Sequence, residues 1–166
     1  MRSVGEKIVY GGVGLMEIVD VREECFAGIS HKYYVMTELR STSASQTFVP
    51  VDNKKLCAVM YPILTKEEAL ALISRIGSIP LLEWNNDNRI RAAEFKAVIE
   101  SGNREKILSL IKTLSEKSKQ RREEGKKNSL ADESTLKKAE RLLYSELAEV
   151  LGITEPEVSD IVTAKL

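Results

Sequence analysis

Apolar positions change their rhythm once along this chain. Up to Pro62 they come in short, β-branched runs. Beyond it they recur every three to four residues. The first texture predicts strands and the second amphipathic helices, because side chains alternate across a strand and return to one helix face every 3.6 residues. Strands are expected at Lys7–Tyr10, Leu15–Val21, Lys32–Leu39 and Gln46–Val51, with a short apolar piece at Leu56–Met60. Gly11-Gly12-Val13-Gly14, Gly28 and the serines from Ser41 to Ser45 supply turns. Several short strands on short loops predict a small, strongly bent sheet or SH3-like barrel.

Helix signals begin at Thr65-Lys66-Glu67-Glu68, a capping box in which the threonine and the glutamate satisfy free backbone donors. A helix over 67–76 ends at Gly77-Ser78-Ile79-Pro80. A second runs from Arg89 to Glu100 with Ala92, Phe95 and Ile99 on one face, and Ser101-Gly102-Asn103 stops it. Ile107, Leu110, Ile111 and Leu114 mark the buried stripe of a third. Ser129 with Asp132 opens a long fourth carrying Leu136, Ala139, Leu143, Leu147 and Val150, and Gly152 ends it. Thr154-Glu155-Pro156-Glu157 starts the last. The expected fold is α+β: a small β domain over 1–62, then an all-α bundle over 63–166.

Composition adds limits. With 43% hydrophobic and 30% charged residues the chain reads as ordinary globular protein. No run of about 18 apolar residues and no leader pattern occurs, so no membrane partner and a cytoplasmic location are expected. Two cysteines, Cys25 and Cys57, read as buried structural thiols. Net charge is zero but unevenly spread. Residues 66–128 hold 14 basic and 10 acidic side chains, whereas 129–166 hold 4 and 8. The positive excess ends in Lys117, Lys119, Arg121, Arg122, Lys126 and Lys127.

Enzymatic motifs are missing. The glycines near Tyr10 precede a strand, not the helix a phosphate loop requires. His31, the only histidine, reads as a surface-turn residue without partners for a zinc site or a nucleophile pair. No cofactor, metal or small-molecule substrate is implied. The residues describe a binder rather than an enzyme.

Two stretches suggest nucleic acid. Trp84, the only indole, sits in polar company with Arg89 and Arg91 close behind. It is either an anchor packing the junction of two halves or an exposed wedge of the kind that opens a base step in a minor groove. Ala148, Gly152 and Val158 fit helix-turn-helix spacing, but Glu155, Glu157 and Asp160 oppose phosphates, so 148–162 reads as a helical corner.

The order of several short motifs resembles the CarD/CdnL family of bacterial transcription regulators. They are Val4–Tyr10 with Gly12-Val13-Gly14, Tyr33–Met36 and Val49-Pro50-Val51, then Trp84 with Arg91, Ile99–Asn103, and Ala139–Leu143 with Glu146-Leu147. The resemblance spans essentially the whole chain. It implies an N-terminal Tudor-like domain, shared with the transcription-repair coupling factor, that docks on the RNA polymerase β subunit through a strand edge. It also implies a helical domain that meets promoter DNA at the upstream fork of the bubble and stabilises the open complex.

By position, Trp84 would then be the wedge, with Arg89, Arg91 and Lys96 as phosphate contacts. The basic segment Arg121, Arg122, Lys126 and Lys127 would add DNA contacts, and Arg22, Phe48, Val49 and Pro50 would meet polymerase. Such contact is independent of sequence, and the protein would stay on the nucleoid with polymerase. Gly11 departs from the family's usual proline, and Phe48 stands where some members are basic. Two rivals remain: a sequence-specific DNA-binding protein using 148–162, and a polymerase or repair-factor module with no DNA role.

Overall fold

The structure, a computed structural model, describes residues 1–166. Its backbone separates into two units, Met1–Ile63 and Leu64–Leu166. The first is an antiparallel sheet and the second is helical, so the α+β class expected from the apolar rhythm is observed.

In the first unit β1 (Lys7–Tyr10), β2 (Gly14–Phe26), β3 (Ile29–Glu38), β4 (Gln46–Pro50) and β5 (Met60–Pro62) lie in the order β4-β3-β2-β1-β5. β2 and β3 are longer than the apolar runs suggested because polar residues carry the ladder on to a hairpin at Ala27-Gly28. Both turn residues have positive φ, 52° and 80°, which suits the right-handed twist of the strands. Gly28 takes that conformation freely; Ala27 does not. A bulge between Ile18 and Asp20 bends β2. Ile8, Tyr10, Met16, Ile18, Tyr34, Met36, Val49 and Met60 fill the inner face.

Three expectations need correction here. Leu56 and Cys57 belong to a single helical turn, α1 (Lys54–Cys57), because Asn53 caps it through Leu56 N–H; the strand begins only at Met60. Cys25 is exposed rather than buried, since it pairs with Ser30 near the hairpin tip, beyond the buried part of β2. His31 lies within β3 rather than in a turn and is exposed.

The helical unit holds α2 (Lys66–Ser74), a 3-10 turn (Ile76–Ser78), α3 (Asn88–Glu100), α4 (Arg104–Glu123), α5 (Leu130–Leu151) and α6 (Glu155–Thr163). Both capping boxes form as the sequence predicts. α5 is the central helix, packed against α2, α3, α4 and α6. Burial all round its stretch Leu142–Ala148 follows from that position. It even includes Glu146, which is 1% exposed. Its carboxylate accepts from Arg104 Nε and Nη2 at 2.9 and 2.8 Å and from Leu64 N–H at 2.9 Å. Both carboxylate oxygens are thus engaged, and the start of α4 is tied to the middle of α5.

No helix is long and apolar enough to cross a membrane. At the α5–α6 corner Gly152 closes α5 in the left-handed conformation, and Ala148 and Val158 are both fully buried.

Candidate nucleic-acid interface

Trp84 sits in the irregular segment between the 3-10 turn and α3, partly buried against the helical core. Its chain is fixed on both sides. Leu82 N–H donates to Thr113 Oγ1 at 2.8 Å, and that hydroxyl donates in turn to Ser109 O at 2.7 Å within α4. On the other side Asn85 O accepts from Arg91 Nη1 at 2.8 Å. The ring itself meets Phe95, with centroids 6.2 Å apart, and two cations: Arg91 Cζ at 4.4 Å and Lys117 Nζ at 5.2 Å from its centroid. Cations over an aromatic face are attracted by its quadrupole, so the indole is held electrostatically as well as by packing.

Arg91 is not where the sequence expectation put it. It is 4% exposed. The α3 stripe facing the core is Arg91, Phe95 and Ile99, with Ala92 turned to solvent instead. Its guanidinium reaches Asp132 on α5 at 3.1 Å through Nη2 and 3.3 Å through Nε, and Asn88 Oδ1 at 2.9 Å. Every arm is engaged inside the bundle. A phosphate outside cannot be met by this residue in this conformation.

The basic segment is brought to the tryptophan by the end of α4. Gly125, at φ 70°, turns the chain back so that Lys126 N–H bonds Arg121 O at 2.8 Å and Gly125 N–H bonds Arg122 O at 3.1 Å. This is the Schellman closure, for which glycine is favoured at the left-handed position. An open hollow results, lined by Trp84, Asn86, Lys117, Gln120, Arg121, Glu124 and Lys126. Lys117 and Arg121 are one turn apart on the same helix face. Lys126 is partly neutralised, since Glu124 pairs with it at 2.8 Å. That hydrogen bond, with Arg121 and Lys117 nearby, holds the Glu124 carboxyl below its ordinary range.

A second hollow at the indole has the opposite character, being lined by Glu83, Asn85, Asn86 and Glu94. Trp84 therefore stands between a cationic and an acidic surface.

The other expected DNA residues lie apart. Arg122 and Lys127 are exposed but do not line the basic hollow. Arg89 and Lys96 are two helical turns apart on the solvent stripe of α3, and Lys96 pairs loosely with Glu100 at 3.8 Å. Lys117 carries no sequence signal of its own beyond membership of the basic run, four residues before Arg121.

The sheet unit carries a separate outer face. Arg22, Phe26, Tyr33, Phe48 and Pro50 all project from it, as their cross-strand register requires. Phe26 stands 5.2 Å from Tyr33 and 5.6 Å from Phe48, ring to ring, and is 48% exposed. Arg22 Cζ lies 5.8 Å from the Phe48 centroid while its guanidinium pairs with Asp20 and Glu24 at 3.0 and 2.7 Å. Phe48 is thus a partly covered surface ring, not core. The Val49 side chain is 1% exposed and faces the inner core, as the residue after an outward Phe48 must, so it is not part of this surface.

The chain is thus an α+β protein with a tryptophan flanked by two cations in its helical unit and an aromatic face with an open edge strand on its sheet unit. A family model described as CarD, C-terminal domain, matches residues 81–163, half of the chain. The chain belongs to the CarD family of transcription factors, and its function lies in transcription. No curated protein matches the chain.

Proposed function

We propose that the protein binds the RNA polymerase β subunit through the sheet unit and stabilises the promoter open complex through the helical unit. Trp84 acts there as a minor-groove wedge at the upstream edge of the transcription bubble, without reading a sequence. The observation that carries this reading is the indole at the rim of a hollow lined by Lys117, Arg121 and Lys126. Phosphates tracking through such a hollow bring a duplex edge to an apolar ring, and an inserted ring favours steps that unstack easily. The acidic hollow of Glu83 and Glu94 repels phosphates and so restricts approach to the α4 side.

Polymerase docking is supported by β4 as an edge strand. Val51 N–H bonds Lys32 O, so by antiparallel alternation Thr47 and Val49 turn their main chain to β3 while Gln46 and Phe48 turn theirs outward. A partner strand has a short free edge there, beside the rings of Phe48 and Phe26. Arg22 and Pro50 flank it on the same face. The two weak contacts act together, because tethering to polymerase raises the effective concentration of the helical unit at DNA.

A recognition-helix function at 148–162 gains no support, since α6 turns Glu157 and Asp160 to solvent. The test is the half-life of open complexes formed by cognate polymerase with no protein, with wild type and with folded, polymerase-binding Trp84→Ala. Wild type should extend the half-life and the variant should not. Equal performance by the two would refute the wedge.

A further inference from the structure

The ring proposed to insert into DNA lies in a segment without regular secondary structure, and such a segment does not hold a side chain in one pose by itself. We propose that Arg91, Asp132 and Thr113 are positioning residues, a two-point clamp that holds Trp84 ready for insertion. This rests on the wedge reading of Trp84.

One point of the clamp is Thr113. It is 3% exposed in the middle of α4 and receives Leu82 N–H two residues before the indole. Because the same hydroxyl donates to Ser109 O, its acceptor lone pairs are aimed away from its own helix and toward the segment. The other point is Arg91. Its Nη1 donates to Asn85 O, the segment's carbonyl one residue after the indole, and its guanidinium carbon lies 4.4 Å from the ring centroid. Its Nε and Nη2 donate to Asp132, with side chains only 5% and 17% exposed, and Nη2 donates to Asn88 Oδ1 as well. Asp132 is fixed in turn in the first turn of α5 by the Ser129 cap.

The chain of constraint therefore runs from the central helix to the guanidinium, and from there to both the backbone and the face of the tryptophan. Arginine suits this place because its planar fork satisfies a carboxylate, an amide oxygen and a carbonyl while stacking on a ring; a lysine has one point of charge for all four. Burial strengthens each bond, since no water competes for the guanidinium.

Trp84 is the only indole, so its fluorescence reports the clamp without a label. Time-resolved fluorescence anisotropy on the full chain, with circular dichroism and polymerase affinity as controls, is read for wild type, Asp132→Asn, Thr113→Val and Thr113→Ser. The open-complex half-life is measured on the same proteins. Loosening should appear as faster local indole motion in Asp132→Asn and Thr113→Val. Each should lose the half-life extension by about tenfold, the factor carried by one buried hydrogen bond of ~1.4 kcal/mol. Thr113→Ser, which keeps the hydroxyl, should behave as wild type in both readouts.

An indole as rigid in the loosened variants as in wild type overturns the clamp. So does a mobile indole with an undiminished half-life extension. If Asp132→Asn fails to fold, Asn88→Ala, which removes only the outer acceptor of Arg91 Nη2, takes its place with the same readouts. A Trp84→Ala protein as active as wild type refutes the wedge instead, while the anisotropy still decides whether the clamp holds the ring.

Discussion

If the basic hollow carries DNA, its charges set a salt dependence that can be worked out beforehand. Lys117, Arg121 and Lys126 line the hollow, but Lys126 is paired with Glu124 at 2.8 Å. The hollow therefore neutralises about two phosphates. Each releases about 0.9 of a counterion on duplex DNA, so the slope of log affinity against log salt should be about −1.8, and affinity should fall about twelvefold between 50 and 200 mM salt. Arg121→Ala should reduce the slope to about −0.9 and the fall to about 3.5-fold.

Trp84→Ala should leave the slope alone, because an indole releases no counterion. It should instead lower the preference for a forked over a fully paired duplex, by roughly 5- to 150-fold if one base stack is lost. The assay is anisotropy of a labelled fork and a labelled duplex titrated with protein across a salt series. Arg122→Ala is the control, being the next residue on α4 but outside the hollow. A slope reduced as much by Arg122→Ala as by Arg121→Ala would mean that charge acts generally and not at this hollow. A slope flattened by Trp84→Ala would mean that the indole serves only to hold the lysine and arginine in place.

Two further outcomes concern the scaffold. Glu146→Ala removes the carboxylate that the Arg104 guanidinium and Leu64 N–H share inside the bundle, so it should destabilise the helical unit by about 3 kcal/mol; a loss under about 1 kcal/mol in urea unfolding would show the pair to be dispensable. Ala27→Gly relieves a non-glycine residue at φ 52° in the hairpin turn and should raise stability by about 0.5–1 kcal/mol, read as a higher denaturation midpoint with an unchanged m-value.

The parts of this molecule that were legible in the sequence are those fixed by local chemistry. Thr65 with Glu68 and Thr154 with Glu157 announce helix starts because both partners lie within one turn, and both boxes form. Leu143 and Leu147 lie inside because a 3.6-residue period leaves them no other face toward the core. Arg22 to Cys25 carry little apolar signal, so the sequence predicts a shorter hairpin than β2 and β3 form; their pairing comes from the opposite strand, which no local pattern displays.

The candidate site divides along the same line. Phe48 and Val49 are neighbours in a strand, so alternation alone requires them to face opposite ways, and that signal was present. Arg91 is the harder case, because a charge is expected outside until a buried partner is known. Its partner, Asp132, lies 41 residues along the chain at the start of another helix, where by sequence it reads only as part of a cap. Yet Arg91 does occupy the position that completes an i, i+4, i+8 stripe with Phe95 and Ile99. A charge standing in an apolar stripe, seven residues after the only tryptophan, argues for an internal arginine with that ring as its neighbour. The stripe specifies where the side chain points, and only the fold supplies the carboxylate that lets it stay there.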